Sequence, residues 1–254
     1  MLNLLFPSLP YQRMLDPMWQ QEAQQAQHHG YSVCLYDAEQ QRLYQTPHPT
    51  WPTLYRGWML SEREYRQLAQ LTPLFISPEL YLASHQASGW YSAIAPFTPA
   101  SVFAPVHQAA PLIEQALQFQ DRCFVKSLTK SFGADSVISS LPAFTALVQR
   151  HALAADEVLF IRSYQELSNQ PEERYFAIQG QAYGAARKRF PVVLQPVLAR
   201  LQSRWLYTLD VAYTASGTPL IIEVGDGQVS DTKEWSVAEL YQTVLQRLAE
   251  QAAS

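Results

Sequence analysis

YTLDVAYTASGTPLIIEVGDGQVS, running from Tyr207 to Ser230, decides how the rest of the chain is read. TLDVAYT and PLIIEVG are β-branched and aromatic runs separated by the turn-forming ASGT, the pattern of a β-hairpin. If Thr214 and Pro219 close a four-residue loop, antiparallel register sets Asp210 opposite Glu223, with both side chains on one face. Like charges facing each other across a sheet destabilise it by a few tenths to ~1 kcal/mol, and burial raises the cost. A cation between them is therefore expected. A hard divalent ion suits oxygen ligands, and Mg²⁺ is commonly held by one or two carboxylates plus the phosphates of a nucleotide. The competing arrangement is a one-residue slip, which puts the two acids on opposite faces and leaves one solvated. Against it stands the companion face, Leu209, Val211, Leu220, Ile222 and Val224, which is wholly apolar and fit to pack on a core. The run ends in Gly225-Asp226-Gly227, where the backbone can turn sharply and re-aim Asp226 as a third acid.

With 254 residues the chain is long enough for one large domain or two small ones with a substantial core. Charged residues make up 16%, against about a quarter in typical soluble proteins. That composition fits a well-buried globular protein. The net charge of −4 provides no global field to recruit nucleic acid or an anionic membrane. The one basic run, Arg187-Lys188-Arg189, is too short to change that, although it suits a local phosphate. Cys34 and Cys123 lie far apart with no partners at zinc spacing, so neither a disulfide framework nor a zinc site is indicated. MLNLLFPSLP lacks a basic n-region, and no apolar run approaches the ~20 residues that span a bilayer. A cytoplasmic protein is the expectation.

Two regions are expected, an N-terminal α/β domain over 1–120 and a second domain over 121–254. In the first, residues 3–8 and 31–37 are strands flanking a helix that Asp16-Pro17 opens and Gly30 ends, a βαβ-sized unit. LYRGWML (54–60) is an apolar run, Ser61 and Glu64 form a capping box, and 73–107 reads as loop-rich with several prolines. In the second, CFVK is a strand ending at Lys126 before a polar loop, and EVLFIRSY is another strand. RYFAIQGQAYGAA is a hairpin around Gly180, and FPVVLQPVLARLQSRW a helix with a proline irregularity. The chain closes in a helix capped by Ser236 and Glu239, with Val237, Leu240, Tyr241, Val244, Leu245 and Leu248 as its buried stripe. Strands and helices alternate first and a more antiparallel half follows. That order suggests two lobes with a ligand cleft between them.

Several standard sites are absent. Thr129-Lys130-Ser131 lacks the glycines of a phosphate loop. There is no Gly-x-Ser-x-Gly elbow, and the six histidines never fall in a metalloprotease pattern. What remains is an ordered set: Lys126 at a strand end, Arg162 in a strand, Glu173-Arg174 opening a hairpin, then Asp210 and Glu223. This succession resembles the ATP-grasp superfamily. More closely, it is similar to the divergent clade that includes the eukaryotic cell-division-cycle protein 123 and many bacterial and phage proteins. LYRGWML, and GWY followed by TPAS, look like that clade's pre-ATP-grasp region. FVK (124–126), ERYF (173–176), LDVAY (209–213) and IIEVGDGQVS (221–230) look like its ATP-binding half.

The resemblance implies an α/β (α+β) ATP-grasp-like fold, with an N-terminal pre-ATP-grasp region and two α+β lobes enclosing a nucleotide cleft. It implies ATP with one or two Mg²⁺, a substrate carboxylate that takes the γ-phosphoryl group, and an amine that attacks the acylphosphate to give an amide. The substrates would be a peptide, a protein or small metabolites, with no nucleic acid or membrane partner. Carried over by position, Asp210 and Glu223 are metal ligands and Lys126 neutralises the nucleotide phosphates. Arg162, Arg174 and Arg187 are candidates for phosphate or acylphosphate contacts, Arg174 and Arg187 as catalytic residues. The backbone from Phe160 and Ile161 to Ser163 faces adenine, and Arg56 and Trp58 fall on the substrate side. One departure stands out. The superfamily places Asn two positions after the metal-binding Glu, and here that position is Gly225, so Asp226 or Gln228 would have to supply the missing ligand. Phosphoryl transfer needs positioning and charge neutralisation more than covalent help, and the planar guanidinium matches phosphate oxygens. The alternative is an ATP-binding assembly factor without small-molecule turnover, and a third possibility is a degenerate fold that binds no nucleotide.

Overall fold

Strand β1 (Asn3–Pro7) and strand β2 (Ser32–Asp37) run parallel on either side of helix α1 (Gln20–His28) in the computed structural model, which describes residues 1–252. Asp16 accepts a hydrogen bond from the Met18 amide, and Pro17 opens a single 3₁₀ turn ahead of α1. Gly30, with φ of 73°, turns the chain out of the helix, a conformation glycine adopts without a steric cost. Strand β3 (Arg42–Leu43) adds antiparallel to β2, and β4 (Thr53–Tyr55) adds parallel to the other side of β1. The first sheet therefore has the order β3-β2-β1-β4.

Helix α2 (Glu62–Leu71) begins at the Ser61/Glu64 capping box. The stretch expected to be loop-rich then folds into α3 (Pro78–His85), α4 (Ala87–Ile94) and β5 (Ser101–Pro105), followed by α5 (Val106–Phe119). Proline explains the difference. Pro78 occupies the first turn of α3 behind the Ser77 cap, where its missing N–H costs nothing, and Pro111 lies inside α5.

Strands β6 (Cys123–Ser127), β7 (Val137–Ile138) and β8 (Val158–Ser163), with α6 (Leu141–Arg150) before β8, join β5 in an antiparallel sheet of order β5-β8-β6-β7. This sheet takes one strand and a helix from before residue 120, so its core crosses the expected division between 120 and 121. Period-two alternation sorts its faces. Cys123, Val125, Leu159 and Ile161 pack beneath α5 and α6. Phe124, Lys126, Phe160 and Arg162, paired in register across β6 and β8, occupy the other face.

The third sheet, β10-β9-β11-β12, is antiparallel throughout, from β9 (Glu173–Ile178), β10 (Gln181–Gly184), β11 (Tyr207–Tyr213) and β12 (Pro219–Asp226). Helix α7 (Gln195–Arg200) is shorter than the sequence suggests, because Pro191 and Pro196 confine it behind a 3₁₀ turn. Leu194, Val197, Leu198, Trp90 and Ile94 cover one face of this sheet. Helix α8 (237–251) packs on the other, burying Leu240, Tyr241, Val244, Leu245 and Leu248 on a core shared with the first sheet. A π-helical turn over Tyr241–Leu245 interrupts α8. Among the described residues no helix is long and apolar enough to cross a membrane.

Candidate active site

Asp210 and Glu223 do face each other across β11 and β12, but not by the simple loop. Tyr213 pairs with Pro219, so the connection is 214–218, and an unbroken register would set Asp210 against Ile222. Opposite the Asp210–Val211 step β12 carries one extra residue, Ile222, and this bulge restores the Asp210–Glu223 pair. Burial carries the same signature. Ile221 at 0% and Val224 at 1% exposure are three positions apart, so Ile221, not Leu220 or Ile222, enters the core. The carbonyl of Ile222 instead accepts Arg162 Nη1 at 2.6 Å.

Each carboxylate of the pair has its own cations. Arg174, directly opposite Asp210 in the β9–β11 ladder, binds it with Nε at 2.8 Å and Nη2 at 2.7 Å. Lys233 Nζ donates to Asp210 Oδ2 and to Glu172, both at 2.9 Å. Burial pushes the Asp210 carboxyl up, but the Arg174 guanidinium and the Lys233 ammonium more than offset it and hold the group below the usual carboxylate range. Burial lowers Arg174 and Lys233 in turn, and the same contacts outweigh it and raise both. Lys126, almost fully buried, donates to Glu223 Oε1 at 3.0 Å from the facing sheet. Arg162 donates Nη2 to Thr98 at 2.7 Å, while its buried Nε has no partner among the described residues. Burial pulls the Arg162 guanidinium down to about 10, with Glu223 opposing.

Two cavities flank this charge array between the sheets. One, of about 360 Å³, is lined by Glu223 and Arg174, by Asp226, by Lys130 from the polar loop after β6, and by Met59 and His85 from the N-terminal part. The other, of about 440 Å³, lies between Phe124, Arg162, Tyr164, Leu167 and Ile222. Both fall within the ~300–1,000 Å³ typical of ligand sites.

The other sequence candidates do not join the pair. Asp226, at the end of β12, lines the same cavity as Glu223 but makes its own contacts there. Its Oδ1 accepts the Gln228 amide and Gln228 Nε2, both at 3.0 Å, and the described residues contain no group of three or more His, Cys, Asp or Glu side chains able to hold a metal ion. The structure thus does not bring Asp226 to the pair. Burial raises its carboxyl to about 7, with Gln228 and Arg56 opposing. At Gly225, an added Cβ would stand 2.7 Å from Thr208 Oγ1 and 3.1 Å from Ser230 Oγ. Those two hydroxyls, 2.9 Å apart, fill the space an asparagine would need. Phe160 and Ile161 lie in β8, an inner strand laddered on both edges, and Ile161 turns its side chain into the core under α5 and α6. Their main chain is committed to the sheet, and the chain leaves the ladder only after Ser163. Arg187 lines a different cleft. Arg56 is fully buried and structural, and Trp58 is half exposed, with Nε1 on Asp16 at 2.8 Å.

Lys233, Glu172 and His85 escaped sequence reasoning. Lys233 sits in an irregular loop with φ of 44° and no periodicity to mark it. That loop is pinned where Trp235 Nε1 donates to the Arg174 carbonyl at 3.0 Å. His85 ends α3, stacks on Tyr81 with centroids 5.1 Å apart, and faces the smaller cavity. Burial first, then Lys130 and Lys126, lowers its imidazole to about 4.

Two antiparallel sheets facing each other over paired carboxylates and lysine or arginine cations define a nucleotide-grasping architecture. The chain belongs to an ATP-grasp domain family, the third family of its clade, whose model matches residues 40–248. Its fold is similar to that of D-cycloserine synthetase DcsG, with a TM-score of 0.67 at 13% identity over 97% of this chain and 99% of that one. D-alanyl-alanine synthetase A from Vibrio cholerae gives 0.61 at 12% identity, over 100% and 98% of the two chains. The ATP-grasp ligase PsnB, complexed with precursor peptide PsnA2 and AMPPNP, gives 0.59 at 10% identity over 97% of each. No curated protein sequence matches the chain.

Proposed function

We propose that this protein is an ATP-dependent carboxylate–amine ligase. The observation that carries the proposal is the opposed pair Asp210 and Glu223, flanked by Lys126, Arg174 and Lys233 at the meeting of two sheets. The donor set suits Mg²⁺·ATP. Two carboxylates plus nucleotide phosphates are a common Mg²⁺ environment, and the ammonium groups on Asp210 and Glu223 already occupy positions where positive charge is required. Asp210 and Glu223 would hold the ion, which supplies charge neutralisation of the phosphates. Lys126 would bind phosphate oxygens, and Arg174 would orient Asp210 while reaching the cleft it lines. The cavity between Phe124 and Ile222 is the adenine site of this proposal, with the main chain after Ser163 at its rim.

In the reaction proposed, a substrate carboxylate oxygen bonds to the γ-phosphorus and ADP leaves. A neutral amine then attacks the acyl carbon, phosphate departs, and an amide remains. The cavity beside His85 and Lys130 is the place for those substrates. D-alanyl-alanine synthetase A and PsnB, with its precursor peptide, supply precedents for small-molecule and peptide acceptors on the same fold.

Calorimetry with AMPPNP and release of ADP from ATP test this. AMPPNP binding is expected to require Mg²⁺ and to weaken at least ~10-fold in Glu223→Gln, a change of about 1.4 kcal/mol. ADP release should rise only when a carboxylate and an amine from an amino-acid and dipeptide panel are both present. Affinity that ignores both Mg²⁺ and the substitution would refute the metal assignment. Strong Mg²⁺-dependent binding without stimulated turnover, together with capture of one specific protein, would favour the assembly-factor alternative.

A further inference from the structure

A cavity of about 610 Å³ shares no lining residue with the clefts around Glu223. It opens at the free edge of β10, the outermost strand of its sheet. Gln195 and Leu198 of α7 line it on one side, and Glu239 and Thr243 of α8 on the other. The sheet edge is thus exposed in a slot between its two covering layers. Ile178 pairs with Gln181 across the two-residue turn Gln179-Gly180, whose φ values of 44° and 86° are those of a tight hairpin. Alternation then turns the Ala182 N–H and C=O away from β9 and into the slot.

Charge lines the same slot. Lys188 is tied to Glu173, and Glu239 accepts the Ala186 N–H at 2.6 Å. Arg187 and Arg189 are exposed and have no ion pair among the described residues. Ala186 and Arg187 hold φ values of 51° and 60°. For residues with a side chain that conformation is strained, and the Glu239 contact with the Ala186 N–H braces it. Beside the arginines Val192 is 85% exposed, a bare apolar side chain on the rim.

We infer that this slot captures an acidic, extended segment of a polypeptide. A free strand edge offers main-chain hydrogen bonds to an extended chain, and side-chain pockets beside it give specificity. Two unpaired arginines select carboxylates, and the net charge of −4 on the whole chain works against nucleic acid as the occupant. Capture at this edge is independent of the nucleotide reading and is measurable without ATP.

The probe is a fluorescein-labelled Glu-Val repeat hexapeptide, followed by anisotropy, with the Lys-Val hexapeptide and a labelled single-stranded DNA of similar length as comparisons. The acidic peptide is expected to bind at least ~10-fold tighter than the basic one. The double substitution Arg187→Glu and Arg189→Glu should abolish that preference, and Ala182→Pro, which removes an outward N–H, should weaken binding several-fold. Circular dichroism and urea unfolding of each variant report whether the fold survives. Equal affinity for the two peptides, indifference to the arginine reversal, or tighter binding of the DNA would overturn the inference.

Discussion

Arg56→Met lowers the unfolding free energy by about 3–5 kcal/mol, the range for breaking a buried ion pair by removing one partner. That is a large share of the roughly 5–15 kcal/mol by which most domains are stable. The guanidinium is 1% exposed and binds Glu22 through Nε at 2.7 Å and Nη2 at 2.8 Å. Its Nη1 donates to three carbonyls, Gly227 and Gln228 at 3.1 Å and Ser230 at 2.6 Å. Methionine fills most of the volume but leaves the Glu22 carboxylate only the Tyr241 hydroxyl at 3.3 Å, and it removes the side-chain donor from the Gly227 and Ser230 carbonyls, while Gln228 keeps the Gly57 amide at 3.2 Å. Glu22→Gln should cost less, because the carbonyl contacts and a neutral acceptor remain. The effect reaches the site through the chain itself. Residues 227–230 continue from β12, so a loosened loop also loosens the end of the strand that carries Glu223. Urea unfolding reads the stability, and hydrogen exchange of the amides over 226–231 reads the loosening. A cost below ~1 kcal/mol, or unchanged exchange, would mean that the network is not what fixes the loop.

The two acids of the hairpin were legible because strand periodicity and an apolar companion face constrain them locally. The mechanism of their pairing was not. A five-position connection and a compensating bulge give the same opposition as a shorter loop without a bulge, and only the burial of Ile221 in place of Ile222 distinguishes them. Lys126 and Arg174 were legible as cations at strand ends, but their partners depend on which strands lie adjacent. Arg174 meets Asp210 only because β9 sits beside β11, and Lys126 meets Glu223 only because two sheets face each other. Asp226 looked like a third ligand by proximity along the chain; it lines the same cavity as Glu223, but its Oδ1 is taken by Gln228 and it completes no group of three ligands with the pair. Arg187 looked like a phosphate contact by composition, and the turn after β10 carries it into another cleft. The helices over 78–119 were obscured because proline at a first helical turn and proline in a loop look alike without the cap geometry. Lys233 and His85 belong to segments with no repeating pattern, so nothing short of the folded chain brings them to the cleft.

Two buried groups lining the same cleft give the protein opposite responses to acid, and separating them should produce an effect larger than either shows in the native chain. His85 has its pKa depressed from 6.5 to about 4. The unfolded chain therefore takes up the proton first, and stability falls as pH drops below 6.5. Asp226 has its pKa raised from 3.8 to about 7, so the folded chain takes up the proton first and stability rises as pH drops through 7. Between pH 7 and 5 each contributes about 2 kcal/mol, since a proton bound by only one of the two states changes their balance by about 1.4 kcal/mol for every tenfold change in proton concentration. They nearly cancel, and the native protein should show an almost level unfolding free energy across the window. Asp226→Asn leaves His85 unopposed, so stability should drop by about 2 kcal/mol on acidification. His85→Gln leaves Asp226 unopposed, and stability should climb by a similar amount. The variants would then diverge by about 4 kcal/mol between the two pH values, although both start from a neutral substitution in the same cleft. Urea titrations without nucleotide or divalent metal measure the three curves, since a bound ion near Glu223 would add its own proton linkage. Parallel curves for the two variants would show that neither group titrates from a buried state.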